Sequence, residues 1–175
     1  MTRLSLGVQS LDNDALEFLG REHSAADAIA ALKRGKESFP MVSIDLMYAR
    51  PGQAVPAWQE ELAQALELGL DHLSLYQLTI EPGTPFAERK IEPADEDAAA
   101  NLYEITNAIL ESAGLPAYEV SNHARPGHQC HHNLTYWQGG DYVGLGPGAH
   151  GRLTQGQTDA LYQIHTPGRW LDAVE

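Results

Sequence analysis

At 175 residues, 43 % hydrophobic and 20 % charged, the chain has the composition of one globular domain, with or without a small extension, and not of a disordered segment. A formal charge of −13 excludes general nucleic-acid binding, which needs clustered Lys and Arg, and the apolar runs are too short to span a bilayer. The single cysteine, Cys130, excludes an intrachain disulfide, a zinc site of two or more thiolates, and a cluster held by three or four.

Met1 to Ser5 leads directly into strand-like sequence with no apolar leader, so a cytoplasmic location is expected. The first strand is Leu4-Ser5-Leu6-Gly7-Val8-Gln9. Ser24-Ala25-Ala26-Asp27 has the form of a capping box and opens a helix carrying Ile29, Ala30 and Leu32. Val42 to Met47 reads as a second strand. Pro56 suits the first turn of the next helix, whose apolar face uses Val55, Trp58, Leu62, Ala65 and Leu66 before Gly69 stops it. A third strand covers Leu73 to Leu78, and Glu81-Pro82-Gly83-Thr84-Pro85 is a turn by composition. Asp95 caps a third long helix with Leu102, Ile105, Ile109 and Ala113 on its apolar face and Gly114 at its stop.

Alternation within the strands is the more informative signal. It puts Leu4, Leu6 and Val8 against Ser5, Gly7 and Gln9, and Val42, Ile44 and Leu46 against Ser43, Asp45 and Met47. A parallel sheet covered by helices on both sides should be apolar on both faces. Here one face is polar, as in a βα barrel whose interior holds a ligand; the alternative is an open sheet with one wet face. The expected fold is therefore α/β, a partial barrel of parallel strands over residues 1–115. Residues 116–175, rich in Gly, His and aromatic residues, then form a strand-and-loop extension.

Gln9, Arg21 and Asp45 are candidate ligand contacts because each lies on or just after an expected strand. A carboxylate inside a strand needs a partner such as a ribose hydroxyl, and a guanidinium can grip a carboxylate with two bonds. Glu81 is a weaker candidate on the same rim. Most of the eight histidines lie from His123 onward, densest in His128-Gln129-Cys130-His131-His132-Asn133. In an extended chain these side chains alternate between faces and cannot all bind one metal, so taken alone they read as a structural cluster ahead of a haem or metal site. Gly146-Pro147-Gly148-Ala149-His150-Gly151 matches the dinucleotide fingerprint in form, but no helix pattern follows it, and a close-packed glycine turn is the expectation.

Longer blocks carry a family resemblance. Leu4 to Ser10, Ser43 to Tyr48, Tyr76 to Phe86, Tyr118-Glu119-Val120-Ser121-Asn122, Ala124-Arg125-Pro126-Gly127, Cys130 to Trp137 and Gly139 to His150 follow one another in order. They resemble the radical SAM proteins of the oxygen-independent coproporphyrinogen III oxidase family, in their haem-chaperone branch. The resemblance implies a half barrel that binds S-adenosylmethionine (SAM) through Gln9, Arg21 and Asp45. It also implies a haem contact at His132, Asn133, Tyr136 and Trp137, which match the branch's His-Asn-x-x-Tyr-Trp motif. The family's three-cysteine motif and its [4Fe–4S] cluster have no counterpart here, so a central fragment, inactive alone in SAM cleavage, is expected. Ala49-Arg50-Pro51-Gly52-Gln53 replaces the family's usual Gly-Leu-Pro-Gly-Gln. The implied partners are haem or porphyrin and a haem-enzyme client, with self-association through an open barrel edge. Two other readings stay open: a coproporphyrinogen III oxidase of porphyrin biosynthesis, and an interaction module with no cofactor.

Overall fold

The computed structural model describes residues 2–174; Met1 and Glu175, the outer ends of the two expected domains, lie outside them. The chain forms two compact units, one ending at Gln129 and the other beginning at Cys130. The first carries β1 (Arg3–Gln9), α1 (Asn13–Phe18), α2 (Ala25–Ser38), β2 (Met41–Tyr48), α3 (Val55–Glu67), β3 (His72–Gln77), α4 (Pro85–Glu88), α5 (Glu96–Ser112) and β4 (Asn122–Ala124). The second carries α6 (His131–Trp137), β5 (His150–Gln155), β6 (Gln157–Tyr162) and α7 (Pro167–Val174).

β1, β2 and β3 are parallel and neighbours in chain order, each pair joined through helices; β4 adds to β3 in the antiparallel sense. The fold is thus α/β around a parallel sheet. That last strand is why the first unit continues past the change of composition at Leu115. It pairs Asn122 with Ser74, and Arg125 then donates its backbone N–H to the Asp71 carbonyl at 3.0 Å.

The helices start and stop where the local chemistry dictates. Ser24 and Asp27 cap each other in a reciprocal box, Asp95 accepts from the N–H groups of Asp97 and Ala98, and Gly69 and Gly114 take positive φ just past α3 and α5. The buried stripe of α2 is Ala28, Leu32 and Gly35, with Ala30 exposed, so the expected face is turned by part of a helical step. Gly35 has a reason to be glycine, since a Cβ there would meet Leu4 Cδ2 at 3.0 Å. On α5 the buried residues are Ala99, Leu102, Thr106 and Leu110, with Ile109 and Ala113 packed at the margin.

The core lies between these helices and the apolar face of the sheet. Ile44, Leu46, Leu62, Leu73 and Leu75 are all buried, each contributing about 1.5–3 kcal/mol. Trp58 is wholly buried, stacks on Tyr48 at 5.3 Å and donates its indole N–H to the Thr106 hydroxyl at 2.7 Å. Removing that hydroxyl strands a donor where water cannot reach. Thr106→Val should therefore cost about 1–3 kcal/mol in urea unfolding, despite its nearly equal volume.

His72 opens β3 and is 3 % exposed. Its Nε2 meets the Tyr118 hydroxyl at 2.7 Å while Nδ1 is buried without a hydrogen-bond partner among the described residues. Burial, helped by the charges of Arg3 and His123, lowers its pKa to about 4. The folded protein thus refuses a proton that the unfolded chain accepts near pH 6.5. The contribution is fully present above that pH and is lost as pH falls toward 4. It amounts to about 3 kcal/mol. His72→Gln should flatten that part of the stability–pH curve, measured by urea midpoints between pH 7 and pH 4.

Candidate functional site

Gln9 ends β1 in an unusual way. Its φ is +70°, in the left-handed region that glycine favours, and the pairing of β1 with β2 slips between Leu6 and Gln9 so that Gln9 faces Leu46. The side chain folds back along the polar face: a Cβ on Gly7 would lie 2.9 Å from Gln9 Nε2. Gly7 therefore leaves the space that the Gln9 carboxamide occupies.

Asp45 lies one residue from that pairing, half-buried on β2. The Ser5 hydroxyl donates to Asp45 Oδ1 at 2.8 Å, and the Ser43 hydroxyl donates to Ser5 Oγ at 3.0 Å. Among the described residues no donor reaches Oδ2. The same face continues into β3 and β4, where the Ser74 hydroxyl donates to Asn122 Oδ1 at 2.7 Å and the Asn122 amide donates to Glu119. The serines that mark each strand in the sequence form a polar ladder across the sheet, with the Asp45 carboxylate near its middle.

Arg21 lies in the exposed turn between α1 and α2, its backbone N–H bonded to the Leu16 carbonyl and its guanidinium without a protein partner among the described residues. His23 ties that turn to the end of β1 through a 3.0 Å contact between Nε2 and the Val8 carbonyl. Glu81 is exposed, and its carbonyl accepts from the Thr84 hydroxyl at 2.6 Å in the expected turn. The structure puts Gln9 at the end of β1 and Asp45 within the adjacent β2, and tethers the Arg21 turn to the end of β1. Two hollows, of about 510 Å³ beside Arg50 and Glu61 and about 490 Å³ between Gln77 and Tyr103, contain none of the three.

Sequence reasoning missed a buried ionic group on this rim. Arg50 Nη2 meets Glu61 Oε2 at 2.8 Å, and Arg50 Nη1 donates to Ser10 Oγ at 3.1 Å and to the Met47 carbonyl at 3.0 Å. Glu61 also accepts from the Ser10 hydroxyl, and from the Leu11 N–H at 2.9 Å. The available signal was Glu61 itself, a carboxylate in the buried stripe of α3 between Trp58 and Ala65.

In the second unit, the segment expected to be extended at His131 and His132 is the helix α6. Helical spacing puts His132 and Tyr136 on one face and Asn133 and Trp137 on a neighbouring one, so the six-residue motif becomes two i, i+4 pairs. The His132 ring meets Tyr136 edge-on at 4.8 Å, and Tyr136 meets Tyr142 at 4.5 Å. Tyr142 is held by two 2.8 Å backbone bonds with Arg152 of β5. His132 is exposed, and Trp137, at 60 % exposed, presents a flat apolar face. The glycine-rich block ends in β5 instead of a helix. A Cβ on Gly144 would lie 2.1 Å from the His150 carbonyl oxygen, which accounts for glycine there by close packing and leaves no helix N-terminus for a pyrophosphate.

No family model matches the chain. Its fold is similar to part of a solved radical SAM enzyme. Over 99 % of its length it superposes on Escherichia coli coproporphyrinogen III oxidase (HemN), with a TM-score of 0.78 at 21 % identity, covering 43 % of that chain. Over 62 % of its length it also matches Elp3 of Methanocaldococcus infernus, with a TM-score of 0.55 at 28 % identity, covering 27 % of that chain. Its sequence homologues are radical SAM domain-containing proteins and HemW haem chaperones. It is 46 % identical over 99 % of its length to the mouse mitochondrial radical S-adenosyl methionine domain-containing protein 1. It is 44 % identical over 88 % of its length to the haem chaperone HemW of E. coli. The chain spans 42 % of the mouse protein and 41 % of the bacterial one. No helix among the described residues is long and apolar enough to cross a membrane.

Gly7→Ala should push the Gln9 carboxamide off the polar face while costing under ~1 kcal/mol, because the clash falls on the far end of a flexible side chain. The Gln9 side-chain amide resonances should shift, with the urea midpoint nearly unchanged.

Proposed function

We propose that this chain is the SAM- and haem-contacting part of a haem chaperone that delivers haem to haem enzymes. In this reading residues 1–115 form the C-terminal half of a radical SAM βα barrel, and residues 116–175 follow it as a Gly- and His-rich extension. The observation that carries the reading is the arrangement on α6. An accessible imidazole, His132, stands edge-on against Tyr136 in a helix that also exposes Trp137, within a chain 44 % identical to a haem chaperone.

On the polar face of the sheet, the residues fit SAM. Asp45 keeps one carboxylate oxygen open and suits ribose hydroxyls. The unpartnered Arg21 guanidinium suits a carboxylate, and the Gln9 carboxamide can donate and accept at the strand end. When bound beside a reduced cluster, SAM supplies a carbon radical. The residues present do not fit a [4Fe–4S] cluster, since Cys130 is the single thiol and three are needed to leave one iron open. No step through a cluster is therefore assigned to this chain, and without one it is inactive in SAM cleavage. On α6, His132 would ligate haem iron while Tyr136 and Trp137 lie against the porphyrin and Asn133 hydrogen-bonds at its edge. The medium is cytoplasmic in this reading, and the open edge of β1 is where the chain would self-associate.

A coproporphyrinogen III oxidase is the second reading, favoured by the superposition on HemN; product analysis of a full-length form separates the two. A cofactor-free interaction module is the third. Haem titration of the purified chain, followed in the Soret band beside His132→Ala, tests the proposal. Stoichiometric binding lost in the variant is the expected result, and no binding by a chain shown to be folded defeats it. Calorimetry with SAM should give weak binding that Asp45→Ala removes.

A further inference from the structure

Among the described residues, three other than glycine have positive φ: Gln9, Ala49 and Lys90. Lys90 closes a turn just after α4, an ordinary place for it. Gln9 and Ala49 are different, because they mark the C-terminal ends of two adjacent parallel strands, at φ +70° and +55°. Ala49 is fully buried and has no polar side chain to bond its own backbone, so nothing local favours the left-handed form. Conformations of this kind persist only where their surroundings over-determine them.

The residues that follow these two positions supply that surrounding. Ser10 follows Gln9 and Arg50 follows Ala49. Both side chains turn inward to the same carboxylate, Glu61, in the buried stripe of α3. Arg50 is 8 % exposed and Glu61 5 %. The group is densely bonded. Glu61 takes Ser10, the Leu11 N–H and Arg50, while Ser10 Oγ also accepts from Arg50 and from the Asp12 N–H at 3.1 Å. One guanidinium bond returns to the Met47 carbonyl at 3.0 Å, closing a loop around Ala49.

We propose that Arg50, Glu61 and Ser10 are positioning residues that hold the ends of β1 and β2 in the left-handed conformation and so aim the Gln9 carboxamide over Gly7. Buried ion pairs are often replaceable by hydrophobic residues of similar volume without loss of stability, so a stability role alone is weak reason for charge here. Direction is what the charges add. A guanidinium fork and a carboxylate fix the angles at which two loops leave the sheet, which apolar packing does not do. The consequence for ligand binding rests on the reading of Gln9 as a SAM contact; the backbone geometry does not.

The test uses the whole chain. Arg50→Leu alone, which strands a buried carboxylate, should lower the thermal midpoint by about 10 °C, and Arg50→Leu/Glu61→Leu should lower it by less. The Cα and Cβ chemical shifts of Gln9 and Ala49, which report left-handed backbone, should leave that range in the double variant. Ser10→Ala keeps both charges and should move the Gln9 shifts in the same direction, so the question is answered even if the double variant fails to fold. Unchanged Gln9 shifts in a folded variant overturn the proposal. S-adenosylhomocysteine binding is measured in parallel as the ligand probe, with about tenfold weaker affinity expected in the double variant. Absence of binding by the unaltered chain, with the shifts moving as expected, would reject the SAM reading and leave the positioning role standing.

Discussion

The central strand of a parallel sheet cannot carry a carboxylate unless something answers its charge, and β2 carries Asp45. Much of the first unit follows from that constraint. Helices can pack only on the face formed by Val42, Ile44 and Leu46, so α2, α3 and α5 gather there and the core lies to one side of the sheet. The opposite face is left to Ser5, Ser43, Ser74 and Asn122. Their short polar side chains hydrogen-bond across strands, and Ser5 supplies Asp45 with one partner. Half of the carboxylate's bonding capacity remains, at the place where β1 breaks its register to present Gln9.

The strand ends face the opposite problem. Loops leaving a parallel sheet at its C-terminal edge must turn sharply over a helix, and here two of them start that turn at a non-glycine residue with positive φ, Gln9 and Ala49. The buried Arg50–Glu61 pair lies under both turns, and a buried pair is weak evidence for stability because desolvation of two charges offsets their attraction. Its effect is on direction, because a multiply bonded ionic group tolerates fewer arrangements than an apolar one of the same volume. Rigid rims of this kind hold the ends of neighbouring strands in fixed relation, as ligand sites at the C-terminal edges of α/β sheets require.

The second unit depends on helical spacing. α6 is two turns long and lacks a side-chain cap, so its own hydrogen bonds give it little stability. Tertiary contacts support it: Tyr136 leans on Tyr142, Tyr142 is locked to Arg152, and the Asp141 carboxylate accepts from Thr154 N–H and hydroxyl at 3.0 and 2.8 Å. Those two bonds lower the Asp141 pKa. The hairpin of β5 and β6 thus buttresses the helix that presents His132.

Much of this was determined by sequence alone. The Ser24–Asp27 capping box, the stops at Gly69 and Gly114, the three parallel strands and their two unlike faces all follow from patterns within a few residues, because capping and side-chain alternation are local effects. The candidates Gln9 and Asp45 are legible as polar groups on expected strands, whereas Arg21 lies in the turn between α1 and α2. Other features were decided only by the tertiary structure. A short segment such as His131 to Trp137 has no periodic signal strong enough to select helix, and its partners lie beyond it in the chain. Whether Arg50 points to water or to Glu61 depends on α3 arriving beneath it, and the positive φ of Gln9 and Ala49 depends on that same contact. Neither residue type favours such a backbone by itself, so contacts between residues far apart in sequence decide it.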